Sequence, residues 1–181
     1  MVTLDGYFEG PGRDITWHNV DDEFNDYAIH FLDTIDTLVF GRVTYQLMES
    51  YWPTQAALND DPEVARRMNN LRKVVFSKTL RQVNWQNTSL ANGDAAKELK
   101  KLKAPDGKNI AIFGSSNLSQ TFLKDGLVDE LRIIVNPVLI GSGSPLFQGI
   151  QDKHASKLTK TQAFKSGNVM LTYTPLNLSG A

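Results

Sequence analysis

Three short polar segments each follow a run of residues typical of a buried β-strand, and their residue types suit the binding of phosphate groups. Segment 41–44 presents the Arg42 guanidinium and the Thr44 hydroxyl at the start of a predicted helix. In segment 113–116 a glycine lets backbone N–H groups approach an anion. Segment 77–79 adds two hydroxyls and the Lys78 cation. Each segment alone also fits a tight turn or a solvated loop, so both interpretations stay open at this point.

Residue types that the chain lacks exclude several other chemistries. The sequence has no cysteine, which rules out disulfides, thiolate catalysis and cysteine-ligated metal centres. His18, His30 and His154 show no spacing typical of metal ligands. We therefore expect neither a metal site nor a histidine-centred catalytic triad.

The elements that must position the polar segments alternate between helices and strands. Apolar spacing and capping residues predict helices over about 20–32, through Tyr45 and Met48, after Asp61, after Asp94, and over 117–124. Apolar runs predict strands at 37–40, 73–77 and 109–113, a longer one at 130–140 interrupted by Pro137, and a hairpin of 159–164 with 169–174.

This alternation predicts the fold class. It indicates a three-layer α/β/α fold with one mixed, mainly parallel sheet and antiparallel C-terminal strands at one edge. In such sheets ligands bind at the carboxyl ends of the strands, where the chain turns into a helix. Gly41, Ser77 and Gly114 mark three such ends.

Length and composition limit the organisation and the partners. The 181 residues, 41% of them hydrophobic, suit one domain over residues 1–175 followed by a flexible tail at 176–181. A net charge of -1, with no basic run beyond the short 97–103 stretch, does not favour nucleic-acid binding. No apolar run approaches the roughly 18 residues needed to cross a bilayer and no signal-peptide pattern is present, so we expect a soluble, cytoplasmic protein without a membrane partner.

Several of these segments together resemble a known superfamily. Segment 40–45 is similar to the dihydrofolate reductase signature of glycine, arginine, any residue, threonine and an aromatic residue. Segment 73–79 resembles the second cofactor segment of that superfamily, and 110–118 occupies the place of its glycine-pair segment. Segments 3–7 and 128–147 resemble the branch that contains the C-terminal reductase domain of the bacterial riboflavin-biosynthesis deaminase-reductase. The resemblance covers almost the whole chain.

This resemblance implies NADPH as the cofactor. It implies that Gly41, Arg42 and Thr44 hold phosphates of NADPH, and that Ser77 and Lys78 meet the adenosine 2′-phosphate. The cofactor pyrophosphate would meet the segment made of Gly114, Ser115, Ser116 and Asn117. Ser115 stands where the family usually has its second glycine, which narrows the space for close approach and adds a hydroxyl donor.

The resemblance also implies substrate-site and catalytic residues. Trp17 and Asp22 repeat the spacing of a tryptophan and a helix carboxylate that lie under the pteridine ring in dihydrofolate reductases. A partly buried Asp22 carboxylate could hydrogen-bond a ring nitrogen and its amino group, although an acid here also fits a helix start. Asp5, next to Gly6, would shape the loop over the nicotinamide, although Asp-Gly is also an ordinary turn dipeptide. Tyr45 or Trp52 would stack on the planar substrate, unless these aromatic side chains only pack.

The function implied by the resemblance is an NADPH-dependent oxidoreductase acting on a pyrimidine- or pteridine-like heterocycle. The named activity of the family is reduction of 5-amino-6-(5-phosphoribosylamino)uracil in riboflavin biosynthesis, and dihydrofolate reduction is the close alternative. A non-catalytic nucleotide-binding protein of the same fold remains open. So does an interaction protein in which an exposed strand at 129–140 pairs with a second copy. The resemblance further implies a homodimer.

Overall fold

The computed structural model describes residues 1–104 and 106–176. The chain forms two compact units. The first unit comprises Met1–Phe24 with Val128–Ala181, and the second comprises Asn25–Leu127. The single domain over 1–175 stays a prediction, and the predicted tail lies outside the described residues except for Leu176.

The second unit is built on a parallel sheet. Its strands are β3 (Ile35–Gly41), β4 (Arg72–Phe76), β5 (Thr88–Ala91) and β6 (Asn109–Ile112), in the spatial order β5-β4-β3-β6. Gly41 pairs with Phe76, and Val39 pairs with Ile112. Leu38, Val39 and Phe40 are fully buried, as expected for the central strand of a covered parallel sheet.

In the part of the chain that the structure describes, six α-helices precede, connect or follow these strands. They are α1 (Asp22–Asp33), which begins in the first unit, then α2 (Arg42–Glu49), α3 (Gln55–Asp60), α4 (Pro62–Asn70), α5 (Ala95–Lys103) and α6 (Ser116–Lys124). The predicted caps are confirmed: the Asp61 side chain accepts a hydrogen bond from Val64 N at 3.3 Å, and that of Asp94 accepts one from Lys97 N at 2.8 Å. Each cap satisfies an N–H that has no partner within its helix.

The core of the second unit lies between the sheet and its helices. Its buried apolar residues are Leu32, Ile35, Leu38, Phe40, Tyr45, Val64, Met68, Val75, Trp85 and Ala111. Lys73 is also fully buried. Its ammonium donates to the carbonyl oxygens of Met68, Asn69 and Leu71 at 2.8, 3.0 and 2.7 Å, and lies 4.5 Å from the Trp85 ring centroid. Every hydrogen of this cation therefore has an acceptor.

The first unit carries a mixed sheet. Its strands are β1 (Val2–Thr3), β7 (Leu131–Asn136), β9 (Ser156–Ala163) and β10 (Val169–Pro175), in the order β1-β7-β10-β9. A small pair is formed by β2 (Tyr7–Glu9) and β8 (Ser144–Pro145). Strands β9 and β10 form the predicted antiparallel hairpin, whereas β1 runs parallel to β7. The α/β class, with parallel and antiparallel strands, is thus confirmed.

One strand differs from its prediction. The run at 130–140 ends as a strand at Asn136, before Pro137, a residue that has no N–H to donate to a sheet. Strand β7 lies between β1 and β10, but β1 pairs only with Val135 and Asn136, so among the described strands none pairs with residues 131–134 on that side. The pairing of segment 129–140 with a second copy stays a prediction.

None of the described helices is long and apolar enough to span a membrane.

Candidate functional site

The order of the parallel strands defines a switch point between β3 and β6. From β3 the chain proceeds to β4 and β5 on one side, and it later returns to place β6 on the other side of β3. The turns after β3 and β6 lead directly into α2 and α6. Crevices at such switch points, outside the carboxyl ends of the strands, are where ligands bind in open α/β sheets.

Both helices at this switch point begin without a side-chain cap. The N-cap residues are Gly41 for α2 and Ser115 for α6, and neither side chain accepts a capping hydrogen bond. The first-turn N–H groups of a helix have no intrahelical acceptor and carry a partial positive charge. The two helix starts therefore offer a favourable environment for an anion.

Ser115 joins the two turns. Its Oγ accepts a hydrogen bond from Gly41 N at 2.8 Å, and its own N–H donates to Thr44 Oγ1 at 3.0 Å. The Ser115 hydroxyl in turn donates to the Phe113 carbonyl at 3.2 Å. The hydroxyl expected as a free donor thus serves to hold the turns together, and sequence reasoning did not foresee this contact because its partners lie far apart in the chain.

The turn after β6 requires an unusual backbone. Gly114 and Ser115 both have left-handed conformations, with φ of 54° and 55°. A Cβ atom on Gly114 would lie 3.3 Å from Thr44 Cγ2 and Oγ1, tighter than an ordinary contact. Glycine is therefore suited to position 114 by both conformation and space.

The other residues expected in this site differ in exposure. Ser116 is 9% exposed, and its hydroxyl accepts a hydrogen bond from Gln120 Nε2 at 2.8 Å, so its backbone is the part available to an anion. Asn117 is exposed in the first turn of α6. Arg42 is exposed in the first turn of α2, where its guanidinium donates to Gln46 Oε1 at 3.1 Å.

The turn after β4 supplies the third predicted segment. Ser77 follows Phe76, the residue that pairs with Gly41, so this turn lies beside the turn after β3. Ser77 Oγ accepts hydrogen bonds from Thr79 N and Leu80 N at 3.1 and 3.0 Å, which fixes the local backbone. Lys78 is exposed. The second unit therefore brings together all the residues predicted to bind phosphate.

Tyr45 has a different role from the one expected. It is 1% exposed, donates from its hydroxyl to Glu49 Oε1 at 2.6 Å, and accepts from Asn84 N and Trp85 N at 3.1 and 3.2 Å. Burial raises the pKa of its hydroxyl above the ordinary value. Tyr45 packs in the core and offers no surface to a substrate, because its α2 face points into the hydrophobic cluster.

Trp52 is partly buried against that same cluster. Its indole N–H donates to Met48 Sδ at 3.2 Å, and its ring packs edge-on against Tyr51 with centroids 5.1 Å apart. Its expected stacking on a substrate stays a prediction.

Three acids stand at the start of α1 in the first unit, and two of them accept hydrogen bonds from backbone N–H groups. Asp21 Oδ1 accepts from Phe24 N at 2.8 Å, and Glu23 Oε2 accepts from Lys165 N at 2.7 Å. Asp22 is exposed rather than partly buried. Among the described residues, no hydrogen bond or ion pair engages its carboxylate. Asp22 is therefore the acid of the three that is available to a ligand.

Trp17 lies in the same segment of the first unit. Its indole N–H donates to Asp14 O at 3.2 Å, and its ring contacts the His18 ring edge-on at 4.5 Å between centroids. Burial lowers the pKa of His18 to about 4, so its imidazole is neutral near pH 7. Within the described ranges, no group of three or more His, Asp or Glu side chains could hold a metal ion.

Asp5 is engaged by the backbone of a neighbouring loop in the first unit. Its carboxylate accepts from Gly141 N at 2.8 Å and from Ile140 N at 3.2 Å. Hydrogen bonds, first from the Thr3 side chain and then from backbone groups that include Gly141 N, hold the pKa of Asp5 below its ordinary value. These contacts favour a role in shaping the loop.

Comparisons with known proteins agree with this fold. The family model described as the RibD C-terminal domain matches residues 1–171. The uncharacterized protein YyaP of Bacillus subtilis (strain 168) is 34% identical over 174 residues, which cover 95% of this chain and 90% of that protein.

Three solved structures show the same fold at low identity. A candidate riboflavin biosynthesis protein from Shewanella sp. PV-4 has a TM-score of 0.74 at 24% identity, covering 97% of this chain and 96% of its own. The second is a diaminohydroxyphosphoribosylaminopyrimidine deaminase/5-amino-6-(5-phosphoribosylamino)uracil reductase from Thermotoga maritima. Its TM-score is 0.68 at 17% sequence identity, and the match covers 97% of this chain and 54% of that chain. The third is dihydrofolate reductase from Enterococcus faecalis, complexed with NADP(H). Its TM-score is 0.63 at 17% sequence identity, and the match covers 97% of this chain and 93% of that chain.

The fold defines an α/β protein of the dihydrofolate reductase-like class. The match over nearly the whole length shows more: the chain belongs to the RibD C-terminal domain family. The resemblance drawn from the sequence motifs is thereby confirmed.

Proposed function

We propose that the protein is an NADPH-dependent reductase of a pyrimidine- or pteridine-like heterocycle, with 5-amino-6-(5-phosphoribosylamino)uracil as the leading substrate. The observation that carries the proposal is the meeting of two uncapped helix N-termini at one switch point, joined through Ser115 and flanked by the Ser77 turn. Membership of the RibD C-terminal domain family and the likeness to a reductase complexed with NADP(H) support the same cofactor.

The residues present fit the phosphates of a dinucleotide. The donor set consists of helix-start N–H groups, hydroxyls and exposed cations, and Gly114 has no Cβ to obstruct the turn against Thr44. In the described chain, neither Arg42 nor Lys78 forms a salt bridge with a carboxylate, so both charges are available to an anion. The phosphates of NADPH would be held by Gly41, Arg42, Thr44, Gly114, Ser115, Ser116 and Asn117, and its 2′-phosphate by Ser77 and Lys78.

The remaining chemistry falls to the first unit. When bound, NADPH would supply a hydride to the substrate, a transfer that needs no protein nucleophile. The Asp22 carboxylate would accept hydrogen bonds from a ring N–H and an exocyclic amino group, and would so orient the heterocycle for reduction. Trp17 would provide a planar apolar surface for the heterocycle, and Asp5 keeps the 138–141 loop in place through Gly141 and Ile140.

A second candidate function is nucleotide binding without turnover. The observation that favours it is the exposure of Asp22, because an exposed carboxylate is more strongly solvated than the partly buried one expected for catalysis. Dihydrofolate reduction is a variant of the first proposal, since it would use the same residues.

Steady-state NADPH oxidation tests the proposal. We expect absorbance loss with 5-amino-6-(5-phosphoribosylamino)uracil, and a smaller or no rate with dihydrofolate. Fluorescence titration of NADPH is the companion measurement. Binding of NADPH without oxidation by either heterocycle would establish the second candidate, and turnover only with dihydrofolate would reassign the substrate.

A further inference from the structure

The backbone of Asn19, between Trp17 and Asp22, is held on both sides by other asparagines. Asn19 N donates to Asn136 Oδ1 at 2.9 Å, and Asn168 Nδ2 donates to Asn19 O at 2.6 Å. The Asn19 side chain adds a third bond, from its Nδ2 to the Ser166 carbonyl at 2.9 Å. We call Asn19, Asn136 and Asn168 the asparagine clamp.

The clamp is built from buried amides with defined orientations. Asn136 and Asn168 are both 0% exposed, and a buried amide is costly unless it forms hydrogen bonds. The Asn19 backbone fixes the orientation of each side-chain amide. Its N–H must face the oxygen of the Asn136 amide, and its carbonyl must face the NH₂ group of the Asn168 amide. Asn136 Nδ2 also reaches Val2 O at 3.4 Å. Each amide is therefore held in a single orientation.

The residues that hold Asn19 stand on ordered elements. Asn136 is the last residue of β7. Asn168 closes the turn of the β9–β10 hairpin, where Phe164 N donates to its carbonyl at 2.8 Å. The same turn is tied to the start of α1, because Lys165 N donates to Glu23 Oε2 at 2.7 Å. The mixed sheet thus determines the position of the backbone that carries Trp17 and Asp22.

We propose that Asn136 and Asn168 are positioning residues for the substrate site, acting on Trp17 and Asp22 through the backbone of Asn19. This inference rests on the proposed function, because it assigns the clamp to the substrate half of the same reductase. Neither asparagine contacts the substrate. Their effect is to keep the Asp22 carboxylate and the Trp17 ring at fixed positions, and small displacements of such groups greatly reduce rates.

Leucine substitutions test the clamp with little change of side-chain volume. Asn168→Leu removes the NH₂ group that donates to Asn19 O. It also removes Asn168 Oδ1, a buried oxygen that has no hydrogen-bond partner among the described residues. Asn136→Leu removes the acceptor of Asn19 N–H. The control is Asn87→Gly in the second unit, which loses side-chain bonds to Asn69 O and Asn70 O at 3.3 and 3.1 Å and keeps a residue suited to its φ of 58°.

The first readout is hydrogen–deuterium exchange of the full chain without ligand, followed by mass spectrometry. We expect exchange in a peptide spanning 17–24 to accelerate about tenfold in both leucine variants and to remain unchanged in the control. Unchanged exchange in the leucine variants would overturn the clamp, whatever the activity of the protein.

The second readout is kinetic, with 5-amino-6-(5-phosphoribosylamino)uracil as the probe. We expect both leucine variants to lower kcat/KM for this probe at least tenfold while the Kd for NADPH stays within twofold of the wild-type value, since the predicted cofactor residues lie in the second unit. Faster exchange with unchanged kcat/KM would overturn the positioning role. A wild-type protein that does not oxidise NADPH with the probe would instead overturn the proposed substrate, and the exchange result would still decide the clamp.

Discussion

Ser115 Oγ accepts a hydrogen bond from Gly41 N at 2.8 Å, and this contact joins the turn after β6 to the turn after β3. We expect Ser115→Ala to weaken NADPH binding about tenfold, because the turns lose their connection while the left-handed backbone at 115 is retained. The measurement is titration of NADPH by nicotinamide fluorescence.

Ser115→Gly separates the two effects of this residue. Glycine also removes the connection, but it relieves the left-handed conformation, which costs a residue with a Cβ about 1 kcal/mol. We therefore expect Ser115→Gly to bind NADPH as weakly as Ser115→Ala does. We also expect Ser115→Gly to unfold at a higher temperature than Ser115→Ala. Wild-type affinity in either variant would show that the contact does not organise the site.

Lys78 is exposed after β4 and is proposed to contact the 2′-phosphate. We expect Lys78→Ala to weaken binding of NADPH roughly tenfold and to leave binding of NADH nearly unchanged, because only NADPH carries that phosphate. Lys100→Ala, an equally exposed lysine on α5, is the control and should alter neither Kd. An equal loss for both nucleotides would place Lys78 elsewhere on the cofactor.

Asp22 and Asp21 are neighbours with distinct predicted roles. Asp22→Asn should lower kcat for the heterocycle at least a hundredfold while thermal stability and the Kd for NADPH stay unchanged. Asp21→Ala should keep most activity but destabilise α1 by about 1 kcal/mol, because the carboxylate that accepts a hydrogen bond from Phe24 N at the start of the helix is lost. An Asp22→Asn variant that loses thermal stability but keeps its kcat would identify Asp22 as a purely structural acid.

Lys73 makes the stability of the fold depend on alkaline pH. Burial lowers its pKa to about 8 from 10.5, so between these values the unfolded chain binds a proton that the folded chain has released. Stability therefore rises with pH across this window, by up to about 1.4 kcal/mol per pH unit. Urea unfolding from pH 7 to 10.5 measures this slope, which should be smaller in Lys73→Met. A wild-type slope equal to that of the variant would contradict the lowered pKa.

Local signals in the sequence were sufficient for much of the fold. The caps at Asp61 and Asp94 and the β9–β10 hairpin were predicted because their residues are close in the chain. Strand β5 was missed because Thr88–Ala91 is short and half-exposed, and α3 because its six residues are too few to show a helical repeat of apolar positions. Short elements of this kind depend on tertiary partners.

The site was predicted in its outline but not in its contacts. Glycines and cations after predicted strands indicated three turns that do lie at neighbouring strand ends, since that signal is local, and phosphate binding there stays a prediction. Tyr45 was misassigned because an aromatic residue in a helix looks the same in sequence whether it faces a ligand or the core. The contact of Ser115 with Gly41 and the asparagine clamp join residues distant in the chain, and no periodicity reveals such pairs.

Titration of NADPH, with NADH beside it, tests the central claim most directly. The exposed Arg42 guanidinium lies in the first turn of α2, and in the described chain its one hydrogen bond is to the neutral Gln46 side chain. The proposed NADPH site predicts saturable NADPH binding to the wild-type protein, tighter than that of NADH, and a loss of at least tenfold in Arg42→Ala with unchanged thermal stability. Absence of binding of either nucleotide to the folded wild-type protein would contradict it.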